Sequence, residues 1–375
     1  MTDTPTWNQM PRLTGNIKWL YERFLPSPRI ESLKKTQKNH VFIASDALPL
    51  FDQESGGLRL KTIIDVLCKE NFQVIFASLK TRNQTLGMVQ TEKKLKWYEQ
   101  RLRSSGVREI IYGIPAIDTY LQNHGAAIKY AMVAFPLPGT CLIPLLRLNS
   151  PDCVVIYDMV DFHALRIRRE AFLSGSQSKI READLMEQTE LALFRAADIV
   201  LAVSDEECEL VRKEVTDAKV FTVPNAFEVP ALSRHGFASR KNILFLGGFW
   251  HTPNEDAVKW FVNDVWPIVH RENPGFEFHI AGSNMNSRIH QLANHNGVKI
   301  IGYVSDLSSF FNSGRVFVAP LRFGAGMKGK VGQSMAFGVP VVSTQIGAEG
   351  MHITHGEEMM IADSPIEFAK HISKL

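Results

Sequence analysis

The chain has 375 residues, of which 45% are hydrophobic and 22% are charged, with a formal net charge of +3. This length suffices for two domains with separate cores, and the small net charge argues against nucleic-acid binding. Four cysteines occur singly (Cys68, Cys141, Cys153 and Cys208), which argues against a disulfide framework or a zinc site. No apolar run of about 18 residues is present and the N-terminus has no signal-like apolar core, so we expect a cytoplasmic globular protein.

The N-terminal residues 1–38 are expected to form a helical extension. Within 16–35, Trp19, Leu20 and Phe24 recur at helical spacing beside basic residues. Such a helix can pack on its own domain, dock peripherally on the inner membrane face, or contact a partner protein.

Residues 39–228 alternate apolar strand patterns with helical patterns. The strands are predicted at 40–45, 73–79, 109–113, 130–135, 153–160, 199–204 and 219–224. The clearest helices are predicted at 56–70, 92–106 and 178–198. This alternation predicts a parallel sheet covered on both faces.

A stretch without periodicity then separates two halves of the chain. We interpret residues 229–240, within AFEVPALSRHGFASR, as an interdomain linker. The pattern restarts in 241–375, with strands predicted at 242–248, 276–283, 298–304, 316–320 and 339–344. The fold class is therefore α/β, with two doubly wound Rossmann-like domains facing a cleft that holds the ligand.

The loop between the last two of these strands has the chemistry of an anion site. Gly324 and Gly326 allow close backbone approach, and a helix predicted to start near Lys328 directs its N–H groups at the loop. Lys328 and Lys330 add two charges, with Arg322 in reach. The alternative is a tight strand-to-helix turn with two solvated lysines.

A second candidate phosphate site follows the strand at 242–248. There Thr252 is predicted as an N-cap, with Pro253 at the first helical position and Glu255 completing a capping box. Glu255 and Asp256 would repel a diphosphate from that helix end, so charge favours the later loop.

The first half offers two further patches at strand ends. Gly56 and Gly57 form a turn that permits close approach to a ligand, although such turns are common. Asp158, Asp161 and His163 crowd the end of another strand. They form either a metal site or, more simply, a hydrogen-bonded loop, and the following arginines, Arg166, Arg168 and Arg169, can be a solvated helix face.

The segments FLGGFWHTPNEDAVKWF, FHIAGSN, GYVSDL and PLRFGAGMKGKVGQSMAFGVPVVST resemble the nucleotide-binding domain of group 1 glycosyltransferases of the GT-B fold, a mostly retaining family. The match extends from about Asn242 to Asp363, and the N-terminal half is similar to the acceptor domain of these enzymes. The resemblance implies that the base lies near Gly282, Ser283, Tyr303 and Val304, the diphosphate lies over 324–327, Gly57 closes from the other side, and His163 lies beside the sugar. The expected site thus comprises catalytic His163 and, for the donor, Gly56, Gly57, Gly248, Gly282, Ser283, Tyr303, Val304, Arg322, Gly324, Ala325, Gly326, Met327, Lys328, Lys330 and Gln333.

Two departures from the family pattern affect these expectations. Family members usually carry two glutamates separated by seven residues, and here Ala325 and Gln333 occupy those positions. Gln333 can still bond ribose hydroxyls, whereas Ala325 cannot hold a sugar hydroxyl. The resemblance also implies closing helices beyond Leu375, so the sequence is expected to be a piece of a longer chain.

The resemblance implies a retaining hexosyltransferase that moves a sugar from a nucleotide diphosphate sugar to a glycan, lipid-linked or protein acceptor, in polysaccharide or glycoconjugate biosynthesis. It implies no cofactor and no metal, because backbone amides, a helix dipole and basic side chains stabilise the leaving group. The alternatives are a non-catalytic subunit that steadies a partner glycosyltransferase, and a sugar-nucleotide epimerase.

Overall fold

The computed structural model of the protein describes residues 40–230, 236 and 240–375. The N-terminal helix expected at 16–35 lies outside these residues, as does most of the predicted linker. Two parallel sheets account for all the strands in the described chain.

The first sheet has seven strands in the order β3-β2-β1-β4-β5-β6-β7. Its strands are β1 (His40–Ser45), β2 (Gln73–Ser78), β3 (Glu109–Tyr112), β4 (Ile128–Ala134), β5 (Val154–Asp158), β6 (Ile199–Ala202) and β7 (Val220–Thr222). All seven strand predictions are confirmed, because each is an apolar run of the kind that a parallel strand buries on both faces. The three helix predictions are also confirmed to within two residues.

Helices cover both faces of this sheet. They are α1 (Ser55–Lys69), α2 (Arg82–Val89), α3 (Glu92–Ser105), α4 (Ile114–His124), α5 (Pro136–Asn149), α6 (His163–Ser174), α7 (Gln177–Ala196) and α8 (Asp205–Glu214). Two apolar clusters form the core, one on each side of the sheet.

The second sheet has six strands in the order β10-β9-β8-β11-β12-β13. They are β8 (Asn242–Leu246), β9 (Glu277–Ala281), β10 (Val298–Gly302), β11 (Gly314–Ala319), β12 (Val341–Ser343) and β13 (Met360–Ile361). The sequence predicts the first five. The two-residue β13 is too short to show a hydrophobic pattern in the sequence.

The helices around the second sheet pack on a separate core. They are α9 (Thr252–Trp260), α10 (Trp266–Glu272), α11 (Ser287–His290), α12 (Leu307–Ser313), α13 (Gly329–Ala336), α14 (Gln345–Ala348) and α15 (Pro365–Lys374). A π-helical turn, Phe261–Val265, joins α9 to α10. In the described part of the chain, no helix is both long and apolar enough to cross a membrane.

Strand order reverses between β1 and β4 in the first sheet and between β8 and β11 in the second. Ligands of doubly wound sheets bind outside the carboxyl ends of the strands at such reversals. The loops after these four strands are therefore the expected position of a ligand site.

Candidate functional site

The carboxyl ends of the two sheets face each other across a narrow cleft. A Cβ added to Gly326, after β11, would lie 2.9 Å from the Cβ of Asp161, after β5. A Cβ added to Gly350, after β12, would lie 2.9 Å from that of Ser204, after β6. Gly326 has φ +66°, so glycine there permits both the backbone turn and the close contact between domains.

Two helix N-termini meet in this cleft. Gly329, the first residue of α13, lies so close to Ser55, the first residue of α1, that an added Cβ would overlap the Ser55 hydroxyl. Neither helix has a side-chain cap, and neither has an acidic residue in its first turn. Free N–H groups and two positive dipole ends therefore converge from the two domains, an arrangement suited to an anion.

Gly56 and Gly57 lie in the first turn of α1, but glycine is needed there for packing. A Cβ on Gly57 would lie 2.8 Å from the backbone nitrogen of Leu50, and one on Gly56 would lie 3.0 Å from the Phe135 ring. These contacts explain both glycines without any ligand.

Among Arg322, Lys328 and Lys330, the basic residues expected at the anion loop, Lys330 is the one whose contacts are with neutral side chains. Its ammonium bonds the side-chain oxygen of Asn254 and lies 5.1 Å from the centre of the Phe245 ring. Burial, with added repulsion from Lys328, lowers the pKa of Lys330 to about 7. An anion beside this half-buried amine would restore its charge.

Lys328 instead stabilises the loop itself. Its ammonium donates to the carbonyl oxygens of Ala325, at 3.1 Å, and Gly326, and lies 3.5 Å from a carboxylate oxygen of Glu349. Burial lowers the pKa of Lys328 despite that carboxylate. Lys328 thus fixes the loop conformation, with its ammonium bonded to protein oxygens.

The structure places Arg322 away from the loop. Its guanidinium donates to Asp256 on α9, with Nε 2.9 Å from Oδ2. Asp256 is paired with Arg322 and Glu255 with Lys259, which offsets the negative charge expected to repel a diphosphate from the first turn of α9. The predicted capping box is wrong: His251 is the N-cap residue of α9, and its side chain makes no capping bond.

The residues expected around the base lie at the ends of β8, β9 and β10. Gly282 faces the Gly247 carbonyl oxygen so closely that no Cβ fits. A Cβ on Gly248 would lie 2.8 Å from the Trp250 indole nitrogen. The Ser283 hydroxyl oxygen is buried without a hydrogen-bond partner in the described chain, and such buried unpaired polar groups are uncommon in folded proteins.

Three further residues that are expected to bind the donor substrate make separate contacts within the protein. The Tyr303 hydroxyl donates to Asp52 of the other domain at 2.6 Å, so it joins the domains in this conformation. Val304 packs against the C-terminal core. The Met327 carbonyl oxygen accepts a bond from Asn225 at 3.3 Å.

The two positions where the family pattern has glutamates lie in the loop and on the helix that follows it. Ala325 is buried, with 8% of its surface exposed. Gln333 is partly buried on α13, one turn beyond Lys330.

His163 is the first residue of α6 and lies on the N-terminal wall of the cleft. Its Nδ1 is 2.9 Å from the Asp161 carbonyl oxygen and 3.1 Å from Asp161 Oδ1. Burial alone would lower the pKa of His163, but the Asp161 and Glu190 carboxylates outweigh it and hold that pKa above its ordinary value. The Phe135 ring stands edge-on to the imidazole, with centroids 6.2 Å apart.

Backbone strain occurs at the same wall. Phe135, after β4, has φ +74°, and Val160, after β5, has φ +65°. Such angles are costly for side chains of these types and cluster at binding sites. Sequence reasoning has no signal for either angle.

The proposed metal alternative does not fit the geometry. Asp158 is fully buried in an ion pair with Arg59, 3.0 Å apart, while Asp161 bonds His163 and Arg166. Across residues 40–230, 236 and 240–375, no group of three or more His, Cys, Asp or Glu side chains is arranged so that it could hold a metal ion.

Two functional candidates were missed from sequence. Arg169, grouped with a solvated helix face, instead crosses the cleft to pair with Glu349 at 2.8 Å and to bond the Gly324 carbonyl oxygen at 2.6 Å. Of its neighbours only Arg168 is on an exposed face. His251 faces the cleft from the second domain, and burial together with Arg166 and Lys330 lowers its pKa to about 3. It is therefore neutral at physiological pH.

Comparison with known proteins adds sequence and fold relationships. Residues 240–375 match the family model of the group 1 glycosyl transferases. A Klebsiella pneumoniae protein, described as an uncharacterised 44.6 kDa protein in the cps region, is 32% identical over 183 residues. That match covers 47% of this chain and 46% of the relative, so the chain spans about half the length of the curated protein it matches.

Solved structures share the fold at low identity. HepE from Anabaena, in complex with UDP-glucose, aligns with a TM-score of 0.62 at 14% identity over 89% of each chain. A putative UDP-N-acetylglucosamine 2-epimerase from Listeria monocytogenes aligns at 0.54 and 14% identity, over 90% of this chain and 88% of that one. A TarM variant from S. aureus, in complex with fondaparinux, α-GlcNAc-glycerol and UDP, aligns at 0.53 and 14% identity, over 65% and 48%. The chain thus has the two-domain GT-B fold, and its C-terminal domain carries the sequence pattern of the group 1 glycosyl transferases.

Proposed function

We propose that this protein is a glycosyltransferase whose donor is a nucleotide diphosphate sugar. The observation that carries the proposal is the meeting of the uncapped N-termini of α1 and α13 beside Lys330. The family match over residues 240–375 supports it. So does the shared fold with HepE, which was crystallised with UDP-glucose.

The donor's diphosphate would lie over residues 324–327, bound by backbone N–H groups and Lys330. Its base would lie at the ends of β8 to β10, near the buried Ser283 hydroxyl, which has no hydrogen-bond partner in the described chain. The sugar would then extend toward His163 and Phe135 on the opposite wall. In this placement the imidazolium form of His163 donates from Nε2 to the sugar.

We further propose a hexose donor and transfer with retention. The acceptor hydroxyl attacks the anomeric carbon, the bond to the diphosphate breaks, and the departing phosphate oxygen takes the hydroxyl proton. The chain then has to supply fixed positive charge at the leaving group, and the converging helix ends with Lys330 supply it. No general base and no metal ion is required.

The same proposal places the enzyme in glycan or glycoconjugate biosynthesis, acting on a glycan, lipid-linked or protein acceptor at the cytoplasmic side. Peripheral docking through residues 16–35 is part of it. Vesicle co-sedimentation of the full chain tests that docking.

A non-catalytic subunit is the second candidate, and Ala325 is the observation that favours it. A buried alanine at this position offers no group to hold a sugar hydroxyl. Such a protein would bind a donor, or only a partner, without turning the donor over. The epimerase shares only the fold with this chain.

Incubation with a panel of nucleotide diphosphate sugars, with analysis of products by mass spectrometry, separates these functions. We expect slow release of nucleoside diphosphate and free sugar without acceptor, and unchanged rates with excess EDTA. Epimerised donor would identify an isomerase, and intact donor throughout would favour the subunit. Activity lost in EDTA and restored by Mg²⁺ or Mn²⁺ would contradict metal independence.

A further inference from the structure

The N-terminus of α6, which carries His163, is capped by two carboxylates from other helices. Glu190 of α7 accepts bonds from the backbone nitrogens of His163, at 3.0 Å, and Ala164, at 2.8 Å. Glu207 of α8 accepts a bond from the nitrogen of Phe162 at 3.0 Å. Both side chains are buried, Glu190 completely. They occupy the N–H groups that would otherwise bind an anion at this helix end.

The two carboxylates differ in their relation to the imidazole. Oε1 of Glu190 lies 3.5 Å from Nδ1 of His163. The contacts of Glu207 are with the backbone, and its other oxygen has no partner in the described chain. Glu190 is thus the carboxylate that reaches both the backbone and the ring of His163.

The surroundings of Nδ1 determine which nitrogen carries the proton in neutral His163. Three oxygens surround it: the Asp161 carbonyl at 2.9 Å, Asp161 Oδ1 at 3.1 Å and Glu190 Oε1 at 3.5 Å. All three are acceptors, so the hydrogen belongs on Nδ1. Nε2, across the ring, makes no hydrogen bond within the described residues.

We propose that Glu190 is a positioning residue that orients the His163 imidazole, keeps a proton on Nδ1 and leaves Nε2 to the sugar of the donor. The role in the reaction rests on the proposed function. The arrangement of the imidazole itself does not.

The charges around His163 agree with this role. Burial and Arg166 on the same helix oppose the imidazolium, whereas Asp161 and Glu190 favour it. The net effect raises the pKa of His163. Removing the Glu190 charge should therefore lower that pKa and leave Nε2 with a proton to donate only at more acidic pH.

The test is an NMR titration of the imidazole nitrogens in ligand-free full-length protein, with His163→Ala used to assign the signals. Wild type should show neutral His163 protonated on Nδ1. In Glu190→Gln the His163 midpoint should fall by about one pH unit. Glu207→Gln, which alters the neighbouring cap, should leave the midpoint unchanged.

Either a neutral ring protonated on Nε2 or equal midpoints in wild type and Glu190→Gln would overturn the proposal. The wild-type measurement decides the proton position even if Glu190→Gln does not fold. If the protein is active, the pH at which kcat falls should shift together with the His163 midpoint in Glu190→Gln. In Glu207→Gln neither should shift. Absence of any turnover would contradict the proposed function, while the titration still decides the role of Glu190.

Discussion

Replacing Asp158 with asparagine is expected to destabilise the N-terminal domain by about 3–5 kcal/mol, the cost of breaking a buried ion pair from one side. Arg59 donates to both carboxylate oxygens of Asp158, and neither side chain is more than 2% exposed. Arg59 also bonds the Val223 carbonyl oxygen, so the pair joins α1 to β5 and to the chain after β7. Urea unfolding followed by circular dichroism measures the change in the free energy of unfolding.

The control is an exposed pair in the same domain. Arg168 and Asp184 are 3.0 Å apart with side chains 42% and 52% exposed, so Asp184→Asn should cost under about 1 kcal/mol. The double variant Arg59→Met with Asp158→Leu should recover much of the loss, because apolar replacements remove both buried charges. Equal effects of Asp158→Asn and Asp184→Asn would contradict the structural role assigned to the buried pair.

Replacing Lys330 with methionine is expected to weaken nucleoside diphosphate binding by about 1.5–3 kcal/mol, roughly 10- to 100-fold. Among the described residues, the partners of the ammonium are an amide and an aromatic ring, so a diphosphate would be its strongest interaction. Calorimetry with UDP measures the affinity. Lys259→Met is the matched control, because Lys259 pairs with Glu255 on the outer side of α9, and it should bind as wild type does.

The same lysine predicts a pH dependence of binding. The pKa of Lys330 is lowered to about 7, and a bound diphosphate favours the charged form. Binding above pH 7 must therefore take up a proton, so affinity should fall by up to about tenfold per pH unit from pH 7 to 9. The phosphate itself is fully ionised over most of that range. Lys330→Met should abolish this slope, and an equal slope in the variant would contradict the assignment.

The strands were predictable because a parallel strand buried on both faces is a continuous apolar run, as in 242–246 and 314–319. The loop at 324–328 and the helix after it were predictable because glycines precede a helical pattern. The anion site that its glycines and lysines indicate stays a prediction. The N-cap residue of α9 was not predictable. His251 and Thr252 are adjacent in the sequence, and a helical pattern does not fix the start of a helix to within one residue.

Side-chain partners distant in sequence could not be inferred in the same way. Arg169 reaches Glu349 of the other domain, 180 positions away, and Arg322 reaches Asp256 within the second domain, 66 positions away. Local spacing carries no information on such pairs, because tertiary packing within and between the domains decides them. For the same reason no signal in the sequence indicated His251, whose pKa is lowered by burial, by Arg166 of the opposite domain and by Lys330.

The most direct test of the account is a thermal-shift panel of nucleotides and nucleotide diphosphate sugars on the full chain. We expect at least one nucleotide diphosphate sugar to stabilise the wild type, by about 2.7 kcal/mol at a hundred times its Kd. Lys330→Met should show a smaller shift at the same concentration, and Lys259→Met an equal one. No shift with any donor at millimolar concentration would contradict the claim that the cleft between the two domains binds a sugar nucleotide.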